Sequence, residues 1–441
     1  MMTRIDKTRG WAVTDPLKHS QALGGTMAFL GLNRSMPLLH GSQGCSAFAK
    51  ALLTRHFREP IPLQTTALVQ STVVMGGEES LEVALETITT TLHPDIIGVL
   101  STGLTEMSGD DSAAIVKSFS ESRCGEDGPL VVFAATPDFS EGLERGWASA
   151  VEAVVSTVPE DGSTIPRQVN LLVGPSLTAL DVEELHGIVK SFDLEPIALP
   201  NLSGSMDGHL AEDWSGLTTG GTTAVELKTI GRSEVTLAVG SSVFAAGSKL
   251  NNRFGIPALN YPRLTGLGAV DSFISDLSEI SGIVVPGELM HWRRRLADAM
   301  LDTHFILGGV RVALALEPDL LLAISSLLDE MGAIVVAAVS PTSSPILDLI
   351  PCDEVKLGDL AELETRASEA GAELIIASSH ARSIAQRLGA AHLRIGFPVF
   401  DRFGQQYQLT AGYRGTLDLL FSVANCLTSH DELRIHSGHV G

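Results

Sequence analysis

A single cysteine in a glycine-rich segment is the residue best suited to metal chemistry in this sequence. Cys45 ends the run His-Gly-Ser-Gln-Gly-Cys that begins at His40. A deprotonated thiol is the soft ligand that iron–sulfur clusters and zinc select. Gly41 and Gly44 carry no side chains, so backbone amides can approach the sulfur and tune a bound cluster by hydrogen bonds. Cys45 is therefore a candidate metal ligand, and Gly41 and Gly44 are candidates to contact a bound group.

A purely structural role is the alternative for every cysteine in the chain. A lone cysteine in an apolar protein usually packs as a small hydrophobic residue. Cys124 lies in a polar turn sequence, Cys352 follows a proline, and Cys426 falls in a predicted terminal helix. No two of the four cysteines form a Cys-x-x-Cys pair, which argues against disulfides and against a self-contained zinc site. We expect Cys124, Cys352 and Cys426 to bind no iron.

Composition excludes several classes of function. The chain has 441 residues, 44% of them hydrophobic, and a formal net charge of −22 at pH 7. Such an acidic surface repels nucleic-acid phosphates and anionic lipids, so we expect neither nucleic acid nor a membrane as a partner. No apolar run approaches the roughly 20 residues that span a bilayer, and the first residues lack the features of a secretory signal. We therefore expect a cytoplasmic protein with several domains.

Short aliphatic runs alternate with helical patterns along the chain, which is typical of βαβ units with parallel sheets. Three successive rounds predict an α/β protein of three Rossmann-like domains, at residues 1–165, 166–285 and 286–441. The first domain carries Cys45 on a loop, and the third ends in a helix. The predicted strands are 95–100, 130–134, 169–173, 195–199, 235–239, 310–314, 333–337 and 373–377. The predicted helices include 110–122, 181–191, 319–331, 379–388 and 417–427.

Two other glycine-rich segments are better explained by local structure than by ligand binding. Gly76 and Gly77 precede two glutamates, whose charge already complements the start of a predicted helix. The run from Thr218 to Thr222 lacks the Lys-Ser/Thr ending of a phosphate-binding loop. The sequence contains no nucleotide fingerprint, hydrolase elbow or zinc-protease motif. We predict no nucleotide site.

Three segments resemble the cluster-ligand segments of β subunits in the nitrogenase component 1 family. They are 16–21, 40–45 and 101–111, and in the nitrogenase MoFe protein each carries a cysteine. Here only the middle segment keeps its cysteine, and Ser20 and Leu104 occupy the other two positions. The resemblance covers nearly the whole chain. Its other dense matches are 55–60, 62–66, 136–139, 202–205, 299–305 and 412–415.

The cysteine pattern makes the chain more similar to family members that assemble the iron–molybdenum cofactor than to nitrogenase itself. The resemblance implies the MoFe-protein fold and a scaffold or carrier subunit for cofactor biosynthesis, not a stand-alone enzyme. It implies an α2β2 heterotetramer with a NifE-like subunit, docking of the nitrogenase iron protein, and a transient cofactor precursor on the complex. It also implies an interfacial [4Fe–4S] cluster for electron relay, with three cysteines from the partner and Cys45 from this chain.

Two alternatives belong to other functional classes. One is a catalytic β-type subunit of a nitrogenase-like reductase, and the other is a structural interaction partner without metal. The catalytic alternative needs a larger cluster or a substrate site. Ser20 and Leu104 weaken it, because a serine oxygen is a harder iron ligand than thiolate and leucine has no ligating atom. An eight-iron spectrum, a [4Fe–4S]⁺ spectrum or an absence of iron in the complex would distinguish the three functions.

Overall fold

The computed structural model describes residues 3–7, 15–70, 76–123, 128–139, 141–159, 162–210 and 213–437. The chain folds into two compact units. The first, here the C-terminal unit, comprises Met1–Lys18, Ser176–Asp193 and Tyr261–Gly441. The second, here the Cys45 unit, comprises His19–Pro175 and Leu194–Asn260. Cys124 and its predicted turn lie outside the described residues.

The Cys45 unit contains a four-stranded parallel sheet. Its strands are β2 (Ser35–Leu39), β3 (Gln64–Thr65), β4 (Ile96–Leu100) and β5 (Leu130–Ala134). Their order is β3-β2-β4-β5, and each neighbouring pair is parallel. β2 and β4 are buried along their whole length. Burial on both faces explains why β4 reads as a continuous apolar run in the sequence.

Helices connect the strands of this sheet. They are α1 (Gln21–Leu30), α2 (Gln43–Phe57), α3 (Glu78–Leu92), α4 (Gly103–Ser108), α5 (Ser112–Arg123) and α6 (Leu143–Thr157). Leu81, Leu85 and Ile88 recur at helical spacing on α3 and are buried in the same core as Met36 and Leu38 of β2. The short helix α4 lies within the segment 101–111. The helix predicted at 110–122 begins two residues later, after the Gly109 turn that ends α4.

A second sheet contains β6 (Gln168–Val173), β7 (Glu195–Leu199), β8 (Val235–Val239) and β9 (Ala258–Tyr261), in the order β7-β6-β8-β9. β6 is parallel to both β7 and β8. The helices α8 (Ala224–Leu227) and α9 (Phe244–Phe254) flank β8 in the sequence. The strands predicted at 169–173, 195–199 and 235–239 are confirmed.

The C-terminal unit contains a six-stranded parallel sheet in the order β1-β12-β11-β10-β13-β14. Its strands are β1 (Arg4–Asp6), β10 (Arg311–Ala315), β11 (Ile334–Ser340), β12 (Glu354–Leu357), β13 (Leu374–Ala377) and β14 (Ala391–Arg394). Its helices are α7 (Ala179–Lys190), α10 (Leu267–Ser281), α11 (Gly287–Leu307), α12 (Pro318–Glu330), α13 (Leu360–Ala370), α14 (Arg382–Leu388) and α15 (Gly412–Ser437). Val312 and Leu314 enter one hydrophobic core, whereas Ala313 and Ala315 enter another. This alternation places a core on each face of the sheet.

The prediction of an α/β fold with mostly parallel sheets is confirmed. The terminal helix is longer than the predicted 417–427, because α15 runs from Gly412 to Ser437. The sequence does not predict β1, since its three residues have no apolar run of their own and pair with Glu354–Lys356 far along the chain. The three domains with boundaries near 165 and 285 stay a prediction. Within the described ranges, no helix combines the length and apolarity that a bilayer crossing requires.

Candidate metal centre

Cys45 lies in the first turn of α2, directly after the loop that leaves β2. Ser42 is the N-cap residue in extended conformation, and its side chain makes no capping hydrogen bond. The Ser42 Oγ lies 3.4 Å from the Cys45 Sγ, within hydrogen-bonding distance for sulfur. The Cys45 side chain is exposed. The structure therefore corrects the loop assignment: the thiol stands at the amino end of a 15-residue helix, where the helix dipole favours an anionic group.

The two glycines of the motif have different surroundings. A Cβ added to Gly41 would lie 2.5 Å from the Thr102 Oγ1, so only glycine fits this close approach. A Cβ added to Gly44 would meet no atom within 4 Å. Gly41 thus packs against the protein, while Gly44 borders open space beside the thiol. The contact of both glycines with a bound group stays a prediction.

Hydrogen bonds join the Cys45 loop to the segment that carries Leu104. The hydroxyl groups of Thr102 and Thr105 both donate to the His40 carbonyl oxygen, at 2.9 and 3.2 Å. The same two threonines form the capping box at the start of α4, and Leu104 is the second residue of that helix. The structure therefore brings two of the three predicted segments together at the carboxyl end of the sheet, where α/β proteins place their ligands.

Ser20, at the third predicted position, has a structural task. It is the N-cap of α1, and its hydroxyl accepts a hydrogen bond from the Leu23 N–H at 3.2 Å. The next residue, Gln21, donates its backbone N–H to the Asp138 carboxylate at 3.0 Å. At the position where the resembling segment carries a cysteine, Ser20 thus caps a helix with its hydroxyl group.

Two of the other cysteines have environments that oppose metal binding. The Cys352 thiol is partly buried and donates to the Glu354 carbonyl oxygen at 3.4 Å. Burial raises the pKa of Cys352 to about 11. Burial also raises the pKa of Cys426, and both residues pack against the core of the six-stranded sheet. Because the thiolate is the ligand form, these two sites disfavour iron.

Cys45 does not belong to a complete set of metal ligands among the described residues. In the part of the chain that the structure describes, no group of three or more His, Cys, Asp or Glu side chains converges on one point. Segments that follow β2, β4 and β5 expose apolar side chains: Phe48 on α2 is 70% exposed, Met107 on α4 79% and Phe139, after β5, 63%. A contiguous patch of exposed apolar side chains often marks a surface for another protein. The residues present fit a metal group that binds one thiolate of this chain and receives its remaining ligands from another molecule.

A buried pair beneath this site is not predictable from the sequence. His40 and Asp110 both belong to the segments that resemble cluster-ligand segments, but their local sequence indicates no role for either side chain. The two side chains meet in the interior, with 3.4 Å between His40 Nε2 and Asp110 Oδ2. They are 70 residues apart in the sequence, so only the fold shows that they form a pair.

The fold and the sequence both match a known class of redox proteins. A family model described as nitrogenase component 1 type oxidoreductase matches residues 20–428. A chain of the solved nitrogenase Cp1 at pH 6.5 superposes with a TM-score of 0.91 at 29% identity, covering 96% of this chain and 95% of that one. A second Cp1 chain, solved at pH 5, has a TM-score of 0.71 at 15% identity and shows the shared fold alone. The predicted MoFe-protein-like fold is confirmed.

Curated relatives narrow the class. A Nostoc protein named nitrogenase iron-molybdenum cofactor biosynthesis protein NifN is 45% identical, over 96% of this chain and 94% of its own length. Proteins of the same name from Bradyrhizobium diazoefficiens and Klebsiella pneumoniae are 43% and 39% identical, with coverage of this chain of 95% and 97%. The chain therefore belongs to the nitrogenase component 1 family, within its NifN group.

Proposed function

We propose that this chain is a scaffold and carrier subunit for biosynthesis of the nitrogenase iron–molybdenum cofactor, and so acts in nitrogen fixation. The observation that carries this proposal is the 45% identity to a NifN protein over 96% of the chain. The name of that relative assigns it to cofactor biosynthesis and not to the reduction of dinitrogen. Ser20 and Leu104 agree with this assignment, because neither supplies the thiolate that the larger nitrogenase cluster needs. The catalytic β-type alternative has no comparable support.

Cys45 is the one ligand that this chain contributes to a [4Fe–4S] cluster in the proposed complex. Its exposed sulfur and the open space beside Gly44 leave room for such a group. Ser42 leaves the first amides of α2 uncapped by its side chain, and amides at a helix start attract the negative charge of a thiolate-bound cluster. A bound [4Fe–4S] cluster supplies one-electron transfer. Residues of this chain orient the thiol. The close contact between Gly41 and Thr102 fixes the backbone position of the loop that leads to Cys45.

The remaining ligands belong to a NifE-like partner in an α2β2 complex. Phe48, Met107 and Phe139 are exposed side chains of the types that are enriched at protein interfaces. A partner seated there would cover the thiol and exclude water from the cluster. Docking of the nitrogenase iron protein, transient binding of the cofactor precursor as cargo, and a cytoplasmic location belong to the same proposal.

Anaerobic co-purification with a tagged NifE-like subunit tests the function. We expect a stable complex that contains iron, shows a [4Fe–4S]⁺ spectrum after reduction with dithionite, and restores cofactor synthesis in a diazotroph that lacks NifN. The Nostoc relative, expressed in the same strain, is the matched positive control. An eight-iron spectrum would instead favour the catalytic subunit, and a complex without iron would favour the structural partner.

A further inference from the structure

The buried pair of His40 and Asp110 is the least satisfied polar feature around the Cys45 loop. The His40 side chain is 0% exposed and that of Asp110 is 4% exposed. Their facing atoms, Nε2 and Oδ2, lie 3.4 Å apart, and among the described residues neither atom has a hydrogen-bond partner. A buried polar atom without a partner destabilises the folded state. Each side chain therefore depends on the other, and a small approach would close a hydrogen bond.

His40 joins the loops that follow three neighbouring strands. Its backbone N–H donates to the carbonyl oxygen of Leu100, the last residue of β4, at 2.8 Å. Its Nδ1 lies 3.1 Å from the hydroxyl of Thr66, which also accepts from the Gly41 N–H at 3.0 Å. Thr66 directly follows β3, and the His40 carbonyl accepts from Thr102 beyond β4. Hydrogen bonds of His40 thus connect the segments that follow β3 and β4 to the loop that precedes α2.

The backbone of Gly77 packs against both His40 and Asp110. Gly77 is buried, and a Cβ added to it would lie 2.6 Å from the Asp110 Oδ2 and 2.9 Å from the His40 Cε1. The backbone at Gly77 therefore packs directly on both groups. Burial lowers the pKa of His40, although Asp110 opposes that shift. The Thr66 hydroxyl lies 3.1 Å from Nδ1 and 3.4 Å from the Gly41 carbonyl oxygen, so it can donate to either. When Nδ1 is the acceptor, the neutral ring carries its proton on Nε2, which faces Asp110.

We propose that His40 and Asp110 are a positioning pair that sets the orientation of the Cys45 thiolate at the shared cluster. The inference rests on the proposed function, because it concerns the cluster to which Cys45 contributes. His40 leads through Gly41 and Ser42 into α2, and Asp110 follows α4, so the pair links the two segments that border the site. A shift of the pair would turn the first residues of α2 and change the hydrogen bonds and solvent around the sulfur. Such outer contacts tune cluster potentials.

The test uses the intact complex with the NifE-like partner. Asp110→Asn keeps the size of the side chain but removes its charge. His40→Asn places an amide group close to the position of Nδ1 and removes Nε2. Gly77→Ala keeps both residues and displaces them through the added methyl group. Matched controls are His93→Asn on an exposed helix end and Gly187→Ala, whose added Cβ meets no atom within 4 Å.

We expect Asp110→Asn and Gly77→Ala to retain iron and the partner while changing the line shape of the reduced spectrum. Outer-shell changes typically alter metal affinity or activity roughly 10–100-fold. We expect a change of about tenfold in the reduction equilibrium, which corresponds to a shift of about 59 mV. The controls should leave both readouts unchanged. If His40→Asn fails to fold, the other two variants still decide the result.

The outcomes separate this inference from the proposed function. An unchanged line shape and potential in Asp110→Asn and Gly77→Ala, with iron retained and only thermal stability lowered, would overturn the positioning role. A wild-type complex without a [4Fe–4S]⁺ spectrum would overturn the proposed function itself. A wild-type spectrum that Cys45→Ala removes, and that Asp110→Asn changes in shape, supports both.

Discussion

At the scale of single residues, thiols of one chain differ in what they can bind because their surroundings differ. Cys45 is exposed at a helix start, whereas Cys352 is partly buried and donates to a backbone carbonyl. The sequence singles out Cys45 because its small neighbours and the resemblance of its segment indicate a ligand. It does not reveal the His40–Asp110 pair, since nothing local relates a strand end to a carboxylate 70 residues away.

Removal of the other cysteines tests that distinction. A variant with Cys124, Cys352 and Cys426 changed to Ala should keep the iron content of the complex. Loss of two partly buried thiols should lower the free energy of unfolding by only about 1 kcal/mol each. Iron analysis and thermal denaturation of the complex measure the two effects. Loss of several irons per heterodimer would show that one of these thiols is a ligand.

At the scale of elements, strands were predictable and the cysteine helix was not. β4, β6 and β8 are mostly apolar runs that are buried on both faces, and such runs are visible in the sequence. α2 begins with Gln-Gly-Cys-Ser, whose glycine and polar residues have no strong helical pattern, and its exposed face carries Phe48. In the proposed complex, a partner surface would cover this exposed aromatic side chain.

Phe48 therefore provides a test of the interface. Phe48→Ala should weaken association with the NifE-like subunit roughly tenfold or more, since burying an aromatic side chain contributes about 1.5–3 kcal/mol. Val225→Ala, at an equally exposed apolar residue on α8 of the same unit, is the matched control and should bind normally. Titration of the tagged partner against each variant gives the affinities. Equal affinities for Phe48→Ala and wild type would place the interface elsewhere.

At the scale of the whole molecule, parallel sheets and family membership limit what the chain can do alone. The carboxyl ends of β2 and β4 collect two of the cluster-ligand-like segments at one edge, as expected for α/β proteins. The β1–β12 pairing could not be foreseen, because it joins the first residues of the chain to Glu354–Lys356, and the local sequence of β1 carries no preference. The candidate site holds one exposed thiol, and we propose that the chain forms one half of a metal-binding complex.

The spectrum of the Cys45→Ala complex tests this account most directly. The variant and the wild type are each purified anaerobically with the tagged NifE-like subunit, reduced with dithionite, and compared by electron paramagnetic resonance at equal protein concentration. We predict that the variant keeps its partner but loses or strongly weakens the [4Fe–4S]⁺ spectrum, because one of four thiolates is gone. A Cys45→Ala complex with a full-intensity spectrum of unchanged line shape and reduction potential would contradict the account.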